Sequence, residues 1–361
     1  MSDTLAAELA ALTCDLMRFE STAERPDQLE AVVGYVADYV AATPGILVER
    51  STAHGKPALV ATLRPGRVPA LMLNGHLDVV VGRASQFLPE VRDERIYGRG
   101  SQDMKGSCAV MLRLMRALAA LPNPPDVGFQ FVADEEIGGA DGTGRLLAEG
   151  WRCGFMLCLE PTDMGILYAH KGAMWVEITL LGQPAHGSRP WDGHNPVQAL
   201  TKGLLALETR YPAPTSEIWR TTITPTRIRV GGGSRNQVPA EALLTLDIRH
   251  VNEDRPDDLV ATLQECFPSG EIVVASQGPE LATDPEHAQV RRLADRVTKR
   301  IGQPPRFYRE HYSTDARYYT NAGISAVCLG PVGAGLHSDE EWVSIASLVD
   351  LYTILYDYVL G

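Results

Sequence analysis

The sequence predicts an α/β protein in which helices flank a central mixed sheet and a smaller α+β domain is inserted. In the first half, near-continuous apolar runs of strand length alternate with segments of helical periodicity. That pattern is typical of a sheet covered on both faces. Between residues 172 and 282 the strands alternate apolar and polar positions, as strands with one solvated face do. The α/β pattern then resumes, so the larger domain is predicted as 1–171 plus 283–361.

Each element follows from the spacing of its apolar residues. A chain of 361 residues exceeds the usual size of one hydrophobic core, which supports two domains. The 3.6-residue period predicts helices at 27–42, 106–121, 142–150, 194–210, 255–267, 285–301 and 343–358. Short apolar or alternating runs predict strands at 56–64, 69–79, 127–136, 154–161, 174–182, 221–232, 241–250, 271–276 and 324–330.

Composition excludes several classes of partner. The net charge of -12 argues against a nucleic-acid or anionic-membrane surface, because both favour a basic face. The first 19 residues carry Asp3 and Glu8 without a basic start, so they predict an amphipathic helix rather than a signal peptide. The apolar stretches are too short to span a bilayer. The expected location is the cytoplasm. The six cysteines form no CxxC pair and are expected to be buried thiols.

Polar side chains follow the predicted strands of the larger domain, where open α/β sheets bind ligands. His76 and Asp78 in LMLNGHLDVV are two residues apart, so in an extended chain they point to the same side. A carboxylate beside a histidine fixes the ring tautomer, as it does behind a metal-bound histidine. The alternative interpretation is a buried, hydrogen-bonded pair.

Acidic residues mark three more segments. Asp103 in YGRGSQDMKG precedes a helix, as a ligand or as a helix cap. Glu135 and Glu136 in FVADEEIGG follow a buried strand, where adjacent acids repel unless a cation or proton neutralises them. A solvated acidic loop is the alternative there. Glu160 ends the apolar strand MLCLE, and the cost of burying a lone carboxylate predicts a cationic partner.

His337, in the glycine-rich loop GAGLHSDEEWV, completes a set of two histidines and three carboxylates. Such a set suits one or two Zn²⁺ ions, with Co²⁺ or Mn²⁺ as further possibilities. Two ions need a shared ligand, and Asp103 is the candidate bridge. A bound metal lowers the pKa of water, so that water attacks near neutral pH. Glu135 would then take the water proton and return it to the leaving amine.

Five strings, in order, resemble the co-catalytic zinc family of acetylornithine deacetylase, succinyl-diaminopimelate desuccinylase, aminoacylase and glutamate carboxypeptidase. They are GHLDVV, YGRGSQDMKG, DEEIGG, LEPTD and GLHSDEEW. The resemblance implies a zinc-exopeptidase-like fold, a homodimer, and a lid and dimerisation role for 172–282. It also implies ligands and roles: His76, Asp103 and Glu160 for one zinc, Asp103, Glu136 and His337 for the other, Asp78 to orient His76, and Glu135 as general acid/base.

The same resemblance implies contacts with the substrate. His186, in GQPAHGSRP, would stabilise the oxyanion in a partner subunit's active site, and Asn236 would contact the substrate. Arg249 would pair with a substrate carboxylate, or else is an ordinary residue of a strand surface. The string STDARYY resembles the deacetylase and desuccinylase branch, which implies contacts from Asp315 and Arg317. Asp315 is alternatively a helix cap.

The function expected from these observations is zinc-dependent hydrolysis of an N-acyl amino acid, as in arginine or lysine biosynthesis. GLHSDEEW resembles the carboxypeptidase side of the family, so a carboxypeptidase or dipeptidase is the first alternative. A metal-binding module without catalysis and a two-metal phosphoesterase are alternatives from other classes. The expected partner is a small acylated amino acid or short peptide, with no nucleic acid and no membrane.

Overall fold

The computed structural model describes residues 2–231 and 233–361. The helices within them are α1 (Ser2–Met17), α2 (Pro26–Ala41), α3 (Gly106–Ala119), α4 (Thr143–Ala148), α5 (Pro196–Arg210), α6 (Pro256–Cys266), α7 (Ala288–Ile301), α8 (Ala316–Asn321) and α9 (Ile345–Leu360). None of these helices is long and apolar enough to cross a membrane.

The strands, numbered along the chain, include several short pieces that apolar periodicity does not reveal. They are β1 (Leu47–Ala53), β2 (Lys56–Thr62), β3 (Leu71–His76), β4 (Glu90–Arg92), β5 (Arg95–Tyr97), β6 (Val127–Val132), β7 (Phe155–Cys158), β8 (Ile166–His170), β9 (Gly172–Leu181), β10 (Thr222–Val230), β11 (Glu241–His250), β12 (Gly270–Gly278), β13 (Leu281–Ala282), β14 (Phe307–Glu310), β15 (Ala326–Cys328), β16 (Gly333–Ala334) and β17 (Trp342–Ser344).

The central sheet is mixed, as predicted. Its order is β1-β2-β6-β3-β7-β15-β8-β13, with β14 also paired to β8. The neighbours β6, β3, β7 and β15 run parallel, whereas β1, β2 and β8 pair antiparallel with their neighbours. A second sheet has the order β10-β11-β9-β12, and a third, of short strands, has the order β16-β17-β5-β4. The predicted fold class is confirmed.

Both faces of the central sheet are packed. Along β2, Leu59 and Ala61 belong to one buried cluster, whereas Ala58 and Val60 belong to another. Since successive side chains of a strand point to opposite faces, the two clusters lie on opposite sides of the sheet. The first contains residues of α1, α2, α3, α7 and α9, and the second contains residues of α4 and α8. This explains why the central strands read as continuous apolar runs.

The chain divides into two compact units. The larger unit comprises the chain up to Ala169, Leu281–Glu310 and Thr314–Gly361, and the smaller comprises His170–Glu280 and His311–Ser313. In the smaller unit, alternate residues of β9 are buried, from Met174 to Leu180, in a cluster with α5 and α6. That one-sided burial produces the alternating pattern of 172–282. The lid and dimerisation role of this segment stays a prediction.

Candidate metal centre

Three parallel strands bring predicted site residues to one edge of the central sheet. The register pairs Asn74 of β3 with Gln130 of β6 and with Cys158 of β7. His76, two residues after Asn74, is the last residue of β3. Glu160 follows Cys158 by the same two residues, so it lies level with His76. This is the carboxyl edge, where sheets of this kind bind ligands.

Asp103 and His337 are carried by irregular segments instead. Asp103 lies between β5 and α3 with φ -116° and ψ 93°, and its peptide bond to Met104 is cis. His337 lies in the loop between β16 and β17 with φ 59°, a conformation uncommon outside glycine. The positions of these two side chains therefore depend on the contacts that fix these irregular segments to the rest of the protein.

The Asp103 carboxylate lies between the two histidines. Its Oδ1 is 2.9 Å from Nε2 of His76, and its Oδ2 is 3.3 Å from Nε2 of His337. On the His76 side, Glu160 Oε2 is 3.9 Å from the same Nε2. On the His337 side, Glu136 Oε2 is 3.3 Å from that Nε2. The structure thus brings all five predicted ligands together in two groups that share Asp103.

The spacing of these atoms fits a metal ion. Ligands bound tetrahedrally at about 2.0–2.1 Å from zinc lie about 3.3 Å from one another. The four distances from a histidine nitrogen to a carboxylate oxygen in the two groups run from 2.9 to 3.9 Å. Donor atoms of His76, Asp103 and Glu136 all lie within 4.8 Å of one another. Imidazole and carboxylate donors suit zinc, and also cobalt or manganese.

The charges of the cluster call for a cation. Burial raises the pKa of Glu160 well above its usual range, against the lowering effect of His76. Hydrogen bonds to Asp103 and Glu136 raise the pKa of His337 to about 10. Without a metal ion, Glu160 and His337 thus each keep a proton that the isolated side chain would release at neutral pH. A divalent cation supplies that positive charge directly, so the residues present fit a metal.

Asp78 supports the centre in two ways. Its backbone oxygen accepts a hydrogen bond of 2.9 Å from Nδ1 of His76, which leaves Nε2 to face the cluster. Its carboxylate lies 3.6 Å from Nδ1 and accepts the backbone N–H groups of Glu135 at 3.2 Å and Glu136 at 3.0 Å. Asp78 therefore orients His76, mainly through its carbonyl, and also holds the turn that carries both glutamates.

The two adjacent glutamates diverge. They open a single short turn, Glu135–Ile137. Glu136 faces His337, whereas a carboxylate oxygen of Glu135 groups with donor atoms of His76 and Glu160, all within 4.8 Å. Burial raises the pKa of Glu135 well above its usual range. One acid can thus ligate a metal while the other stands beside it as a proton carrier.

Asp315 and Arg317, predicted to contact the substrate, are both buried. Asp315 accepts a hydrogen bond of 2.6 Å from the Thr143 hydroxyl and makes no side-chain cap of α8. Arg317 donates at 2.7 Å to the backbone oxygen of Gly138, which also accepts from the Tyr318 hydroxyl at 2.6 Å. Contact of Asp315 and Arg317 with the substrate stays a prediction. The segment also supports the turn of Glu135, through contacts that spacing in the sequence does not reveal.

His186, Asn236 and Arg249 lie in the smaller unit. The backbone N–H of Ser188 donates to Nδ1 of His186 at 3.1 Å, so a neutral ring carries its proton on Nε2. The exposed His186 has this Nε2 3.3 Å from Nδ2 of Asn236, so the structure brings these two predicted residues together. Arg249 makes two hydrogen bonds to Asp247, of 2.8 and 3.1 Å.

Sequence reasoning missed Glu341, which lies four residues after His337. Its side chain is 1% exposed and forms a buried ion pair of 2.7 Å with Arg99. A burial signal was available, because Glu341 directly precedes Trp342 and Val343, the start of an apolar strand. In the string DEEW, however, the three acids look alike, and only the structure distinguishes the buried one.

The chain was compared with known proteins. Residues 72–361 match the model of Peptidase family M20/M25/M40. Succinyl-diaminopimelate desuccinylase of Xylella fastidiosa is 28% identical over 98% of this chain and 99% of that relative. The enzyme of the same name from Granulibacter bethesdensis is 32% identical over 82% and 84%. A Bacillus cereus aminopeptidase structure superposes with a TM-score of 0.80 at 20% identity, covering 98% of each chain.

Fold and site together are those of a hydrolase with a candidate metal site, built from carboxylates and histidines, at the carboxyl edge of a mixed sheet. The chain belongs to peptidase family M20/M25/M40. The predicted family resemblance is confirmed, and so is the enzyme class, a metal-dependent amidohydrolase of a family whose members are usually zinc enzymes.

Metal removal tests the centre directly. We expect Zn²⁺ added to the metal-free protein to raise its thermal unfolding midpoint, because an ion at a hundred times its Kd stabilises the fold by about 2.7 kcal/mol. His337→Ala should reduce the rise, whereas His54→Ala, at a side chain that is 86% exposed, should not. Differential scanning fluorimetry measures both. Equal loss of the rise in the two variants would contradict the assignment of His337.

Proposed function

We propose that this enzyme hydrolyses the amide bond of an N-acyl amino acid, as a deacetylase or desuccinylase does. The main support for this reaction is the geometry of the site: two groups of candidate ligands share Asp103, and Glu135 lies beside them. The substrate class is supported by relatives that are named succinyl-diaminopimelate desuccinylases and align with 82% to 98% of the chain. Such a substrate would belong to amino-acid biosynthesis.

Zinc is the proposed ion, at one or two sites per subunit. His76, Asp103 and Glu160 would hold one ion, and Asp103, Glu136 and His337 the other. When bound, zinc lowers the pKa of water and polarises a carbonyl oxygen. The same ligand set admits cobalt or manganese, which reconstitution of the metal-free enzyme with each ion distinguishes.

Glu135 carries the proton through the reaction. As the water oxygen bonds to the amide carbon, the Glu135 carboxylate accepts a proton from that water. When the carbon–nitrogen bond breaks, the protonated Glu135 donates the proton to the leaving nitrogen. A carboxylic acid and an amine leave, and Glu135 is a carboxylate again. Asp78 keeps Glu135 in place by accepting its backbone N–H.

The smaller unit would supply the remaining contacts. Nε2 of His186 carries the ring proton when the ring is neutral, so it can donate to an oxygen that gains negative charge. Asn236 beside it would contact the substrate, and Arg249 would bind a substrate carboxylate if it leaves Asp247. We further propose a homodimer in which His186 serves the partner's active site.

Glu135→Gln tests the proton carrier. The variant keeps the size of the side chain but cannot accept the proton, so kcat should fall by about 10²–10⁴-fold. Metal content, measured by atomic emission, should match that of the wild type. Glu24→Gln, at an exposed residue, is the matched control and should keep full activity. Wild-type kcat in Glu135→Gln would end the proposed mechanism.

His186→Ala tests the contribution of the smaller unit. Loss of an oxyanion donor should lower kcat by about 10²–10³-fold with metal content unchanged. If His186 acts in the partner's site, mixing this variant with Glu135→Gln under subunit exchange should restore about a quarter of wild-type activity, because each mixed dimer regains one complete site. A mixture as inactive as its components would contradict action across the dimer.

A substrate panel separates the proposal from its alternatives. The zinc-loaded enzyme is assayed on acetyl- and succinyl-amino acids, on dipeptides and on a phosphomonoester. We expect kcat/KM to be highest for an acylated amino acid and abolished in Glu135→Gln. Higher values for dipeptides would make the enzyme a peptidase of the same family. Hydrolysis of the phosphomonoester alone would overturn the reaction class.

A further inference from the structure

Glu341 joins the two irregular segments that carry Asp103 and His337. Its Oε2 accepts from the Arg99 guanidinium at 2.7 Å and from the backbone N–H of Gly100 at 3.0 Å. Its Oε1 accepts from the backbone N–H groups of Gln102 at 3.0 Å and Asp103 at 3.2 Å. Four donors on a side chain that is 1% exposed make this a fully engaged carboxylate.

The segment around Asp103 needs such an acceptor. Asp103 and Met104 have non-helical backbone angles, and α3 begins only at Gly106. The N–H groups of the residues before a helix cannot bond within it, so they take acceptors from elsewhere. The Glu341 carboxylate is the acceptor for Gln102 and Asp103. It thereby fixes the backbone from which the Asp103 side chain projects.

The backbone of Glu341 docks on the same segment. Its carbonyl oxygen accepts the N–H of Gly98 at 3.0 Å, and the next residue, Trp342, pairs with Tyr97 in the sheet of short strands. His337 lies four residues upstream, in a loop with a side chain that is 53% exposed. Glu341 therefore ties the chain that leaves the His337 loop to the segment that carries Asp103.

Charge makes this anchor specific. The carboxylate lies close to a cluster that is already acidic, and Arg99, which is 3% exposed, neutralises it. A glutamine in its place would turn its NH₂ group toward two N–H donors whichever way the amide faces. The glutamine variant therefore loses at least two of the four hydrogen bonds, and Arg99 loses the negative charge that it pairs with.

We propose that Glu341 is a positioning residue that holds Asp103 and His337 at the separation required to share one metal ion. The proposal rests on the ligand roles proposed above. It predicts that the two ions respond differently to loss of Glu341. At the ion held by His76 and Glu160, only the shared ligand Asp103 is positioned by Glu341. At the ion held by His337 and Glu136, both Asp103 and His337 depend on the Glu341 anchor.

Glu341→Gln is compared with wild type and with Glu340→Gln, the same substitution at an exposed neighbour. Zn²⁺ is titrated into each metal-free protein by calorimetry, and the visible spectrum of the Co²⁺ form reports the geometry. We expect wild type and Glu340→Gln to bind two ions alike. Glu341→Gln should bind the second ion about 10–100-fold more weakly, with a smaller loss for the first ion and an altered Co²⁺ spectrum.

Two results would overturn the proposal: wild-type affinity for both ions in Glu341→Gln, or equal weakening of both while circular dichroism shows an unchanged metal-free fold. If Glu341→Gln does not fold, Glu341→Asp, which keeps the charge but shortens the reach, must still weaken the second ion selectively. A wild-type protein that binds fewer than two ions would instead contradict the proposed pair of metal sites, and the inference with it.

Discussion

Each oxygen of the Asp103 carboxylate faces a different histidine, and the rest of the centre is arranged around that division. Two histidines and two further carboxylates form two groups around it. In each group, the histidine nitrogen lies no more than 3.9 Å from the carboxylate oxygens. Such crowding of acids is unfavourable without positive charge. In the absence of a cation, burial raises the pKa of Glu160, and hydrogen bonds to Asp103 and Glu136 raise the pKa of His337. The fold must hold these groups together against their repulsion, and a divalent cation relieves it.

The groups are held together in two ways: by the register of the strands and by hydrogen bonds to loop backbone. His76 and Glu160 stand at the ends of adjacent parallel strands, whose hydrogen-bonded register fixes their spacing. Glu136, Asp103 and His337 come from turns and loops, which need individual acceptors for their backbone N–H groups. Asp78 supplies one for Glu136, and Glu341 supplies one for Asp103. Buried carboxylates that accept backbone N–H groups thus position carboxylates of the candidate metal centre.

Hydrogen bonds also hold the turn after β6, which carries Glu135 and Glu136. Gly138, which closes this turn, accepts hydrogen bonds from Arg317 and Tyr318. The string STDARYY thus contributes hydrogen bonds that hold this turn, and its Asp315 is 0% exposed.

Much of the fold could be predicted because its determinants are local. The long strands and helices bury whole faces, so their periods of 2 and 3.6 residues appear in the sequence. The short strands β4, β5, β16 and β17 have only two or three residues each, which is too short to show a period. The pairing of Trp342 in β17 with Tyr97 in β5 joins segments that lie far apart in the chain.

The sequence by itself determined the fold class and the family and singled out five candidate ligands, because strand ends and family strings mark them directly. Only the tertiary structure decided which oxygen of Asp103 faces which histidine. Only it showed that Asp315 is buried and that Glu341, among three similar acids, holds the backbone. The physical reason is that burial and hydrogen-bond partners are set by segments distant in the chain, and residue type alone does not encode which partner is met.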